Sequence, residues 1–75
     1  MQRLEMEVLE QVYFEPSTLA DISQRLAAPK GPVSHAIRAL VQKSLATIDP
    51  RHRIVRATPA GKTWVESGNT RNHSV

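Results

Sequence analysis

Lys30, Gly31, Ser34, His35 and Arg38 bring together an ammonium, a bare backbone, a hydroxyl, an imidazole and a planar guanidinium along little more than two turns of one helical segment. Ser34 and Arg38 are four apart, so on a helix they share a face. Further along, Arg51, His52 and Arg53 form a compact cationic tip, and Arg56 follows it. These groups donate hydrogen bonds and carry positive charge. The guanidinium fork matches paired acceptor atoms, and the ammonium and free helix-start amides suit oxyanions. That is the chemistry of recognising a polyanion, not of making or breaking bonds.

The rest of the composition points the same way. No Ser/His/Asp or Cys/His arrangement offers a nucleophile, and no carboxylate pair sits in an apolar setting that would tune it, so no enzyme is expected. The sequence has no cysteine, and His35, His52 and His73 lack metal-ligand spacing, so neither a metal site nor another cofactor is expected. The net charge of +3 hides a strong polarity. Residues 1–28 carry −3 and residues 29–75 carry +6, which gives one face that attracts a polyanion and another that turns away from it. At 75 residues and 8.4 kDa the chain supports a single small domain with three aromatic residues, leaving little room for a small-molecule cavity. No stretch approaches the roughly 18 apolar residues of a membrane helix, and the charged start does not resemble a signal peptide, so a cytoplasmic protein is expected.

The elements that must hold these groups follow from period and punctuation. Leu4, Val8, Leu9 and Val12 predict an amphipathic helix from about Arg3 to Phe14, with Glu5, Glu7 and Glu10 off its buried stripe and Pro16 ending it. Ser17 and Thr18 offer N-cap hydroxyls to a short second helix, with Leu19, Ile22 and Leu26 as its apolar face and an end near Ala27. Pro32 is tolerated only in a first turn, so the third helix begins between Lys30 and Pro32. Val33, Ala36, Ile37, Leu40 and Val41 are its expected buried stripe. A hairpin follows, with strands over Leu45–Ile48 and Arg53–Thr58 and a turn at Asp49–His52. Thr58 and Pro59 then resemble an N-cap and first helical residue, starting a last helix through Trp64 and Val65, with Trp64 read as core rather than as a dimer anchor. Residues 67–75 lack apolar period and are expected to be a flexible tail after a domain spanning residues 1–66.

This order of elements, mainly α with a small β-hairpin, is similar to a winged helix-turn-helix domain: a three-helix bundle, a wing and a short C-terminal helix. Thr18 to Leu26 resembles that family's second helix, and Val33 to Leu45 its recognition helix and exit. Asp49-Pro-Arg-His-Arg-Ile-Val-Arg-Ala-Thr-Pro-Ala-Gly61 resembles the wing and helix start of MarR-type bacterial regulators. The family usually carries glycine where Ser44 stands, so Ser44 is expected to accept a left-handed backbone at about 1 kcal/mol. MarR-type proteins also carry long flanking helices that build a dimer, and these 75 residues have no room for them. A homodimer is therefore left open.

The resemblance implies binding of double-stranded DNA by a transcriptional regulator, with the third helix in the major groove. Arg38 would then face guanine O6 and N7, with Ser34 and His35 each making one hydrogen bond to a base or phosphate. Lys30 and the amides near Gly31 would hold a phosphate, and Arg51, His52, Arg53 and Arg56 would grip the backbone or enter the minor groove. Two other readings stand beside it. Winged helices also dock proteins without specific DNA binding. A related family binds left-handed duplexes through an Asn and a Tyr, where this helix offers Ser34 and Arg38.

Overall fold

Four helices and three short strands make up residues 2–67, which are those the computed structural model describes. In chain order they are α1 (Arg3–Phe14), β1 (Ser17–Thr18), α2 (Leu19–Leu26), α3 (Lys30–Gln42), β2 (Ala46–Ile48), β3 (Ile54–Ala57) and α4 (Pro59–Glu66). The expected tail lies outside the described residues except for Ser67, whose N–H closes α4 on the Thr63 carbonyl at 2.9 Å.

The expected stripe of α1 is buried at Val8, Leu9 and Val12, with Leu4 packed at its edge. Glu5 departs from expectation, because it is only 7% exposed. Lys43, just past the end of α3, reaches it with Nζ to Oε1 at 2.7 Å. A buried carboxylate needs such a partner, so this pair ties the start of α1 to the far end of α3. Before Pro16 the chain is extended at Glu15 (φ −157°, ψ 124°), as steric conflict with the proline ring requires.

Thr18 caps α2 as its spacing predicts, its Oγ1 accepting from the Asp21 N–H at 3.2 Å. Ala27 then takes a left-handed conformation (φ 52°), with its N–H on the Gln24 carbonyl and that of Ala28 on the Ser23 carbonyl. This Schellman closure turns the chain into α3. There Val33, Ala36, Ile37 and Leu40 are buried, but Val41 is 38% exposed. At about 100° per residue, Val41 lies roughly 90° from the mean direction of the other four, at the rim of the stripe. Full burial of Leu9, Ile22 and Leu40 contributes about 1.5–3 kcal/mol each, which fixes α1, α2 and α3 against one another.

Ser44 has φ 62°, the left-handed backbone expected of it. Its N–H bonds the Val41 carbonyl and the Leu45 N–H bonds the Leu40 carbonyl, a second Schellman closure that aims the chain into β2. The hairpin register pairs Ala46 with Ala57, Thr47 with Arg56 and Ile48 with Val55. Both strands are shorter than the sequence suggests: β2 loses Leu45, whose N–H closes α3 on the Leu40 carbonyl, and β3 loses Arg53, which is left-handed (φ 56°), and Thr58, which caps α4. A third strand was not anticipated: Ser17 and Thr18 pair antiparallel with Val55 and Ile54, making the sheet order β1-β3-β2. Ser17 is buried, its hydroxyl donating to the Glu15 carbonyl and accepting from the Arg25 guanidinium.

The cap of α4 also agrees with its spacing, Thr58 Oγ1 accepting from the Gly61 N–H at 3.0 Å. Its own hydroxyl donates to the Ser44 carbonyl at 2.7 Å, so the helix is stapled to the exit of α3. Trp64 packs against the core, and Tyr13 Oη donates to Glu66 at 2.9 Å, joining α1 to α4.

Candidate nucleic-acid interface

The start of α3 has no side-chain cap: Pro29 precedes it in an extended conformation, and Pro32 contributes no N–H. Lys30 and Gly31 are exposed there, and a Cβ added at Gly31 would meet nothing within 4 Å. The fold therefore makes no demand for glycine at this position. One turn later, half-buried Ser34 and exposed Arg38 line a cleft of about 190 Å³ between α3 and the hairpin. Ile37 and Val55 are nearly buried beneath it, Ile48 stands 42% exposed at its side, and Arg53 comes in from the turn.

The expected contact residues are thus separated into groups. Ser34, Arg38 and Arg53 share the cleft. Gly31 and His35 instead line a separate apolar hollow against the start of α1, with Leu4 and Glu5. Arg51 and His52 are exposed in the turn itself. Arg56 pairs with Thr47, one residue out of phase with the Ile48–Val55 pair, so strand alternation puts it on the other face of the sheet from the cleft. Ile48 and Leu19 also line the cleft, although the sequence marks Leu19 only as part of the apolar face of α2 and Ile48 only as the end of a strand. The signal available for Ile48 was an apolar residue immediately before a basic turn.

The turn is shaped from within. Asp49 accepts from the Arg51 N–H at 2.9 Å and from His52 Nδ1 at 3.2 Å, while the Arg53 N–H bonds the Asp49 carbonyl at 2.7 Å. The Arg51 N–H, followed by the His52 ring, holds the Asp49 carboxyl below the usual carboxylate range. Asp49 thereby organises a turn that leaves the arginine side chains outward.

Charge is sorted between the two halves of the molecule. Arg3 pairs with Glu7 at 3.6 Å, Arg25 with Glu15 at 3.6 Å and Lys43 with Glu5 at 2.7 Å. Among the described residues, Lys30, Arg38, Arg51, Arg53, Arg56 and Lys62 have no carboxylate within ion-pair distance. Arg3, Arg25 and Lys43 are thus neutralised by carboxylates of residues 1–28, whereas the cations on the outer face of α3 and in the turn, with Arg56 and Lys62, are not.

Residues 1–61 match the sequence pattern of the family described as winged helix DNA-binding domain. The chain belongs to that family. Among solved structures, this winged helix domain is similar to a transcriptional regulator from Thermotoga maritima, with a TM-score of 0.76 and 23% identity over 84% of this chain and 47% of that one. It is also similar to a mutant of Lactococcus lactis ZitR, with a TM-score of 0.74 and 19% identity over 91% and 50%. T. acidophilum IdeR aligns with a TM-score of 0.63 and 30% identity over 81% and 29%. The winged helix domain thus spans about half the length of the first two chains and less than a third of the other. No curated protein matches it. Among the described residues, no helix is long and apolar enough to cross a membrane, and no group of side chains could hold a metal ion.

Proposed function

We propose that this winged helix domain binds double-stranded DNA sequence-specifically as part of a transcriptional regulator. The N-terminal half of α3 lies in the major groove and the turn between β2 and β3 lies on the adjoining backbone or minor groove. The observation that carries this reading is the shared cleft: Arg38 from the helix and Arg53 from the turn line one surface, both free of carboxylate partners among the described residues. In the proposed complex Arg38 donates both arms of its fork to guanine O6 and N7, and Ser34 adds a single hydrogen bond. His35, one face further round, contacts an adjacent base or phosphate. Lys30, Gly31, Arg51, His52 and Arg53 supply phosphate contacts, Arg56 being on the far face of the sheet, and the open space at Gly31 admits close approach of the backbone. The MarR-type pattern of residues 49–61 supports the regulator assignment. If two copies bind as a homodimer, the site is a near-palindrome with half-sites about 10 base pairs apart.

Selection from a random duplex library tests this reading, followed by electrophoretic titration across a salt series. The expected results are one enriched motif and, for five to seven phosphate contacts, a log–log salt slope of roughly −4 to −6. Negligible affinity even at low salt would favour a protein-docking role for the same fold.

A further inference from the structure

The cleft between α3 and the hairpin has a chemistry that base reading alone does not use. Its rim carries two unpaired guanidinium groups, Arg38 and Arg53, and the hydroxyl of Ser34, while its floor and side are the hydrocarbon of Ile37, Val55 and exposed Ile48. Arg53 holds a left-handed backbone (φ 56°) at a position where glycine would be less strained, so its side chain is present there at a conformational cost. A cationic rim over an apolar floor fits a ligand that is anionic at one end and C–H-rich beside it. With α3 in one groove and the turn over the next, the part of a duplex that crosses between them is the sugar-phosphate strand dividing the grooves.

We propose that this cleft seats one deoxyribose–phosphate unit of that strand, the phosphate against Arg53 and the sugar against Ile48, while Arg38 on the same rim keeps its fork for the base. This proposal rests on the DNA-binding reading above. It makes Ile48 a specificity-determining residue for the sugar. A deoxyribose presents C–H groups to the floor, whereas a ribose would bring its 2′-hydroxyl against hydrocarbon and lose part of its hydration.

The test uses the duplex motif selected from a random library, with a single ribonucleotide walked along each strand and, separately, a single uncharged methylphosphonate. One nucleotide per bound protomer is expected to weaken binding roughly five- to tenfold when it carries ribose. Neutralising its phosphate should weaken binding at the same place. In Ile48→Ser, which places a hydroxyl at the exposed rim, the ribose-to-deoxyribose ratio at that nucleotide should fall below about twofold, whatever the absolute affinity. Arg53→Gly, which suits the left-handed backbone, should lose the methylphosphonate effect there. Normal binding and salt dependence without a ribose-sensitive nucleotide, or a ratio unchanged in Ile48→Ser, would overturn the seat while leaving DNA binding intact. Failure of any duplex to bind would remove both.

Discussion

Replacing Gly61 with alanine should destabilise the domain, and the size of the effect follows from one contact. A Cβ at residue 61 would lie 2.1 Å from the Leu45 carbonyl oxygen, 3.0 Å from its carbon and 3.3 Å from Leu9 Cδ1. The oxygen cannot simply swing aside, because it accepts the Thr58 N–H at 3.1 Å, and the neighbouring Ser44 carbonyl accepts the Thr58 hydroxyl. Relief requires α4 to lift away from the exit of α3. Overpacking of this kind costs about 1–3 kcal/mol, and weakening the Thr58 bond adds about 0.5–1.5 kcal/mol. Alanine's better helix propensity returns about 0.5–1 kcal/mol. The net loss of about 0.5–4 kcal/mol corresponds to a Tm lower by about 2–30 °C in a domain this small. Thermal unfolding followed by circular dichroism measures it. Gly31→Ala is the control, because an added methyl there meets open space and should leave Tm unchanged or slightly raised. A Gly61→Ala protein melting within a degree of the parent would refute the close seating of α4 on Leu45.

Other consequences can be checked independently. Arg38→Ala should cost roughly 1–3 kcal/mol of binding and relax preference at one base pair, whereas Arg51→Ala should weaken all sequences alike and reduce the salt slope by about one, both measured by titration of selected and scrambled duplexes. Glu5→Ala should lower stability by about 1–2 kcal/mol in urea unfolding, since half-exposed Lys43 regains water; Lys43→Ala should cost more, because it strands a buried carboxylate. Asp49 has a depressed folded pKa, so its contribution to the turn is complete above its unfolded value of about 4 and is lost as pH falls through the folded one. NMR should show the Arg51 and His52 amides shifting in that acid window, and Asp49→Asn should abolish the shift. The Tyr13 phenol, raised by its hydrogen bond to Glu66, stays protonated past its usual value and loses that bond only as pH rises through the raised one. Glu66→Gln should move its absorbance titration back toward about 10.

What the sequence revealed follows a physical division. The bounds of α1, the Thr18 and Thr58 caps and the proline-limited start of α3 are local, set by side chains within four residues of the backbone they satisfy. Glu5 was misjudged because its partner is 38 residues away, and a periodic stripe treats every glutamate as solvated. β1 was missed because two residues cannot show alternation; its existence depends on β3 arriving alongside. Val41 was placed in the core because the period does not say how wide the covering surface is. At the interface, residue types identified the cations, but only the fold sets Arg56 on the other sheet face, turns His35 toward α1 and brings Ile48 beside Arg38 and Arg53.

The position of β3 between β1 and β2 has a mechanical consequence. With backbone bonds on both flanks, the strand leading out of the basic loop is anchored to the start of α2 as well as to its hairpin mate, so the loop cannot swing like an arm on a single tether. The span from helix to loop acts as a rigid gauge. In the proposed complex a double helix of the wrong local width would have to deform to fit, and base steps that yield readily would be preferred even where no side chain touches them.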